Sequence, residues 1–287
     1  MRLFICLLLA VCGMGLFFAW NSHSVNESDG YNTQAFKHEY VIVHAHQLLG
    51  FNLVDPEQAP EDIRESVMRG YKLFMHTAFY APEYCHNELS CTHCHFCGGD
   101  TLGGKNGGIA LVGVTTTYPK FSQRSGKVLT LIDRMTNCFQ RSMNGKAPAP
   151  DSSIMSDLSH YLSWISKEVE SVKDIPWLGL PEIKNTHKPD AKEGEKLYAL
   201  CCASCHRLDG AGGGFLEDIE GKTIPPLWGE KSFNNGAGMC TINMLAPFIY
   251  LNMPYQQAHL TEEEALDIAA YIVGQERPKY VPPQPQK

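Results

Sequence analysis

Two stretches of this 287-residue chain set a pair of thiols beside an imidazole at fixed spacing: Cys91-Thr92-His93-Cys94-His95 and Cys202-Ala203-Ser204-Cys205-His206. Two thiols three residues apart can add to the two vinyl groups of one porphyrin, and the adjacent histidine then reaches the iron from the proximal side. A thioredoxin-like redox pair or half of a zinc site also uses a Cys-x-x-Cys spacing. Here the motif occurs twice, each copy follows an amphipathic helical stretch, and the chain opens on an export-like segment. Two covalently bound haem c groups are therefore expected. Cys91, Cys94 and His95 hold the first, and Cys202, Cys205 and His206 the second.

The opposite axial position sets the chemistry of each iron. In the second half of the chain Asn252-Met253-Pro254 precedes the Thr261 helix start, with Met253 eight residues ahead of Thr261. A Met-Pro loop there can supply a thioether, and Met239 and Met244 are its competitors. A His/Met haem moves electrons and does little else.

The first half reads differently. Residues 118–150 carry Lys120, Arg124, Lys127, Arg134, Arg141 and Lys146 against the single acid Asp133, six of the 24 Lys and Arg residues in an otherwise acidic chain. A solvated basic face is the plain reading of such a run. Helical periodicity through TLIDRMTNCFQRSM, however, sets Arg134, Cys138, Arg141 and Ser142 on one face. Cations beside a cysteine favour its thiolate, which is both nucleophile and iron ligand, and paired guanidiniums suit a small oxyanion. Alignment of the two halves by their closing helices instead puts Met143 opposite Met253 and Cys138 opposite Phe248. The residues by themselves leave Cys138 and Met143 both open as ligands.

These groups need elements to hold them, and the chain supplies two similar sets. The order RGYKLF (69–74), SCTHCH (90–95), SDLSHYLSWI (156–165) repeats as EGEKLY (193–198), CCASCH (201–206), EEEALDIAAYIVG (262–274). Leu158, Tyr161, Leu162 and Ile165 share a face of the first closing helix, and Leu266, Ile268, Ala269 and Ile272 one of the second. Asp151 and Thr261 read as N-caps, the latter with Glu264 completing a capping box. The fold expected is all-α, two tandem class I-like cytochrome c domains with an N-terminal extension. Residues 1–20 form a signal peptide or membrane anchor, 21–60 the extension, 61–171 the first domain, 172–189 a Pro-rich linker and 190–287 the second domain. Within the extension, VIVHAH (41–46) reads as a short strand or part of a helix. The tail RPKYVPPQPQK reads as loosely wrapped or disordered.

Composition narrows the partners. A net charge of −7 sets an acidic surface that repels phosphate, so no nucleic acid is expected. The apolar run of residues 3–20 behind Arg2 implies export to the periplasm, with membrane anchoring as the alternative fate. Of 11 cysteines, four hold haem and Cys6 and Cys12 lie in the export segment, which leaves Cys85, Cys97, Cys138, Cys201 and Cys240. In an oxidising compartment, Cys85–Cys97 and Cys201–Cys240 are candidate disulfides, and Cys138 is the odd thiol.

Taken together, YPKFSQRSGKV (118–128), DRMTNCFQRSMNGK (133–146), PPLWGEKSFNNGAGM (225–239) and APFIYLNMP (246–254) resemble the thiosulfate dehydrogenase/tetrathionate reductase family of dihaem cytochromes, over roughly residues 60–275. The resemblance implies that Cys138 is the distal ligand of the first haem and forms a covalent sulfur adduct. It implies substrate-side roles for Arg124, Arg134 and Ser142, with Lys146 a further carry-over. The second haem becomes the relay, with Met or Lys opposite its histidine. No lysine stands at Tyr250 or Leu251, which favours Met253. The implied reaction is 2 thiosulfate ⇌ tetrathionate + 2 electrons. The implied partners are those two anions and an external redox protein, such as a small cytochrome or a membrane quinol-linked cytochrome. A plain two-haem electron carrier and a thiosulfate-to-cysteine sulfur transferase are the rival readings.

Overall fold

The computed structural model describes residues 55–103, 105–175, 178–213 and 224–282; the export segment, the extension to residue 54 and the VIVHAH stretch lie outside it. Each half is built on an opening and a closing helix. In the first half these are α1 (Glu61–Met75) and α4 (Ser153–Ile165), with the short α2 (Thr77–Tyr80) and α3 (Leu131–Asn137) between them. In the second they are α5 (Ala191–Cys201) and α8 (Glu262–Val273), with α6 (Ala203–His206) and α7 (Ile242–Asn252) between.

The helix pairs cross in the same way, because the sequence places a glycine at each crossing. A Cβ on Gly70 would lie 2.1 Å from the Asp157 carbonyl oxygen, and one on Gly194 would lie 2.0 Å from that of Asp267. Only a residue without a side chain lets the two backbones approach that far. Aromatic pairs seal both crossings: Phe74 and Tyr161 rings are 5.6 Å apart, and Tyr198 and Tyr271 are 5.4 Å apart. The crossing carboxylates are buried and satisfied. Asp157 accepts from Ser66 and from Arg69 at 2.8 and 3.0 Å, while Asp267 accepts from Asp190 N and pairs with His187 Nε2, each at 2.7 Å. The duplication read from sequence is therefore a duplication of packing.

Local differences from the sequence reading have clear causes. Ser152, not Asp151, caps α4, its hydroxyl accepting from Met155 N. Thr261 caps α8 with Glu264 as expected. On α8 the core is taken by Ala265, Ile268, Ala269 and Ile272, and Leu266 is only partly buried, because the hydrogen-bonded Asp267 turns that face inward. Residues 120–129 form an antiparallel hairpin, β1 (Lys120–Ser122) and β2 (Lys127–Leu129), pairing Lys120 with Leu129. No disulfide joins Cys85 to Cys97 or Cys201 to Cys240. The tail is pinned through Tyr280 rather than loose. Arg277 donates to Leu227 O and Ile272 O, Asn235 N donates to Pro278 O, and Tyr280 N donates to Asn235 Oδ1.

Candidate functional site

Between α1 and α4 lies a cavity lined by Phe74, Cys91, His95, Leu111, Val114, Tyr118, Arg134, Cys138, Met143 and Leu162 among others. Thr77 fixes Cys91, its hydroxyl lying 3.3 Å from Sγ and accepting from Cys91 N at 3.1 Å. Burial pushes the Cys91 and Cys94 thiols up to about 12. The His95 Nδ1 is engaged with Ile109 O at 2.8 Å, which turns Nε2 toward the cavity. Burial also pushes the imidazole down to about 4, holding it neutral as an iron ligand must be.

The second half repeats this with a larger cavity, lined by Cys202, Cys205, His206, Pro225, Leu227, Phe248, Met253, Ile268 and Ile272 among others. Its His206 Nδ1 is engaged with Pro225 O at 3.1 Å, and burial lowers the imidazole from its ordinary range. Cys94 and Phe96 of the first half line this cavity too, so the two motifs share a wall. An apolar cavity with two thiols and one oriented neutral imidazole fits a covalently attached haem in both places.

The distal sides differ. Met253 leaves the C-terminal end of α7 in an extended conformation and lines the second cavity. Asn252, fully buried, holds that exit: its Nδ2 donates to Phe248 O at 3.0 Å and its Oδ1 accepts from Gly108 N at 2.8 Å. Met239 lines the same cavity, whereas Met244 is 39% exposed and does not.

In the first half, α3 stops at Asn137 and residues Cys138–Ser142 form a π-helical turn, Met143 N donating to Cys138 O at 3.0 Å. The wider turn leaves carbonyls that its own helix does not satisfy. Asn234 of the second half takes Gln140 O and Arg141 O, and Asn87 takes Ser142 O. The turn brings both Cys138 and Met143 to the cavity. Arg134 Nη1 donates to Cys138 Sγ at 2.8 Å, and the Arg134 guanidinium is raised above its ordinary range chiefly by that thiol's negative charge. Tyr118, at the start of the hairpin segment, shares the Arg134 guanidinium.

The basic stretch divides in two. Arg124 reaches in from the hairpin turn, and burial, then the charges of Arg141 and Arg134, lower its guanidinium from the ordinary range. Lys120, Lys127 and Lys146 face solvent, and Lys146 pairs with Glu83 at 2.5 Å, which removes it from the site. Ser142 and Arg124 do not line the cavity; Ser142 lies on the π turn beside it. Tyr118 was present in the sequence pattern, opening YPKFSQRSGKV, but was given no role, whereas Arg141 was read on the Arg134 face as one of the paired guanidiniums suited to an oxyanion.

Helix pairs closing twice over such cavities define a tandem cytochrome of the c type. The family description "SoxA/TsdA, cytochrome c domain" matches residues 77–170, and "Cytochrome c" matches residues 191–276. Thiosulfate dehydrogenase of Allochromatium vinosum is 36% identical over 76% of this chain and 81% of its own length. That of Thiomonas intermedia is 37% identical over 78% and 70%. A solved structure, the thiosulfate dehydrogenase TsdBA of Marichromatium purpuratum, superposes with a TM-score of 0.73 at 29% identity. It covers 82% of this chain, which spans about half the length of that one (51%). The chain belongs to the thiosulfate dehydrogenase family.

Proposed function

We propose that this protein interconverts thiosulfate and tetrathionate, with residues 61–171 as the substrate-side domain and 190–287 as the relay. The observation that carries the reading is the Arg134–Cys138 contact of 2.8 Å on the cavity that His95 also lines. A guanidinium against a thiol favours thiolate and at the same time offers donors to a sulfonate. The Cys138 thiolate bonds the sulfane sulfur of one thiosulfate, giving a cysteine S-thiosulfonate and releasing two electrons. A second thiosulfate then attacks that sulfane sulfur, so that the Cys–S bond breaks, tetrathionate leaves and the thiolate returns. Tetrathionate reduction is the same sequence reversed. Arg134 beside Cys138 and Arg124 at the hairpin turn hold the sulfonate charges of the two thiosulfates.

Haem c would be held through Cys91, Cys94 and His95 and through Cys202, Cys205 and His206, with Cys138 and Met253 the candidate residues on the opposite sides, and would supply one-electron redox chemistry. The exposed Leu200 and Leu208, 81% and 72% accessible on either side of the second motif, offer an apolar docking edge to an external redox protein. Export to the periplasm follows from the N-terminal segment and from covalent haem attachment. No described helix is long and apolar enough to cross a membrane.

Met143, buried on the first cavity, favours one second reading: a carrier with two His/Met haems and no substrate. Steady-state assays separate the two. Thiosulfate should reduce an artificial acceptor, and a reduced viologen should be consumed by tetrathionate. Mass spectrometry of the exported protein should find two covalent haems. Two haems without either turnover would leave the carrier.

A further inference from the structure

Beside the first cavity, outside its lining, two further cations come together near Arg134 and Cys138. Arg124 Nη1 and Arg141 Nη1 both donate to the Gly236 carbonyl oxygen, at 3.1 and 3.4 Å. Two guanidiniums thus meet at one neutral acceptor, where their charges repel. The Nε of Arg141 is buried and has no hydrogen-bond partner among the described residues. A buried donor of a charged group is costly to leave unsatisfied, so the arrangement calls for an anion. Consistent with this, burial first, and then the charges of Arg141 and Arg134, lower the Arg124 guanidinium from its ordinary range.

Arg141 does not choose this position alone. Its guanidinium lies over the Tyr280 ring, 4.7 Å from Cζ to the ring centroid. Tyr280 is fixed in turn by its backbone bond to Asn235, and the absence of a side chain at Gly236 leaves room for its ring. The Arg141 carbonyl accepts from Asn234 N at 3.1 Å. Every one of these holding groups belongs to the second half of the chain.

We propose that Arg141 is a substrate-binding residue that forms, with Arg124, a second sulfonate pocket beside the first cavity, and that the strap from Arg277 to Val281 positions it through Tyr280. This rests on thiosulfate and tetrathionate being the substrates. Tetrathionate carries a sulfonate at each end, and joining two thiosulfates requires both to be held at once. Arg134 beside Cys138 serves one end, and the Arg124–Arg141 pair serves the other. The second domain then completes the catalytic site besides relaying electrons.

The test uses the full holoprotein. Arg141→Met should raise the thiosulfate KM by about tenfold or more while kcat changes less, and Arg141→Lys should recover part of the loss. Tyr280→Leu should raise KM in the same way, and Tyr280→Phe, which keeps the ring, should rescue it. Calorimetric titration of the oxidised protein with dithionate, a redox-inert dianion, reads the pocket without turnover. Affinity should fall in Arg141→Met and Tyr280→Leu while both haem spectra stay native. A wild type that turns over, with Arg141→Met unchanged in KM and in dithionate affinity, overturns the proposal and leaves the activity standing. Arg141-dependent dithionate binding in a wild type without turnover overturns the substrate reading and keeps the anion pocket.

Discussion

At the scale of single residues, the chemistry of the first cavity turns on two neighbours five positions apart. Cys138 and Met143 begin and follow the same π turn, and both line the cavity. Only Cys138 has a cation on its sulfur. A thiolate donates more charge to iron than a thioether and so stabilises the ferric state. Oxidised protein should therefore show a low-spin thiolate signal in electron paramagnetic resonance. Cys138→Ala should erase that signal together with nearly all thiosulfate and tetrathionate turnover, while Met143→Leu should keep both. The reverse pattern would return the protein to the class of two-haem carriers. Cys138 was legible from its basic surroundings. That Lys146 belongs to Glu83 instead was not, because an ion pair between residues 83 and 146 is made by the fold.

At the scale of elements, the two helix crossings are the strongest structural constraint that the sequence carries. Gly194 sits where a methyl group would come within 2.0 Å of the Asp267 carbonyl oxygen, so Gly194→Ala must separate α5 from α8. The expected loss is on the order of 3 kcal/mol in the stability of the second domain. It should be read as an earlier thermal transition followed at the second haem, and an unchanged transition would mean that the crossing relaxes freely. Helix periodicity found these helices because burial of one face is a local pattern. It missed the π turn, since straight α-helical spacing carries Arg134 through Ser142 on one face while the carbonyls of that turn are capped by Asn87 and by Asn234, almost a hundred residues away.

At the scale of the whole molecule, the two halves are tied at each end of the electron path. Asn234 holds the π turn, and Asn252 ties the Met253 exit to Gly108. Phe96 meets Phe248 and Tyr255 edge to face at 5.7 and 5.3 Å, across the wall shared by the two motifs. The relay assignment predicts a division of effects. Met253→Gly should alter the optical signature of the second haem and slow exchange with an external acceptor, leaving the first haem's paramagnetic signal unchanged. A thioether-ligated second haem that survives the substitution would transfer the role to Met239, which lines the same cavity.

By itself the sequence determined what depends on bonds and on near neighbours: the two thiol–imidazole motifs, the duplicated helix pairs, the Thr261 cap, and Arg134 one helical turn from Cys138. These follow from covalent spacing and helical period, which act over a few residues. The tertiary structure decided what depends on distant chain segments meeting. It sorted three arginines from three lysines in one basic stretch, left five spare thiols unbridged, and brought Tyr280 of the tail over Arg141. No local rule reaches across that separation, because such contacts are fixed only when the second domain packs on the first.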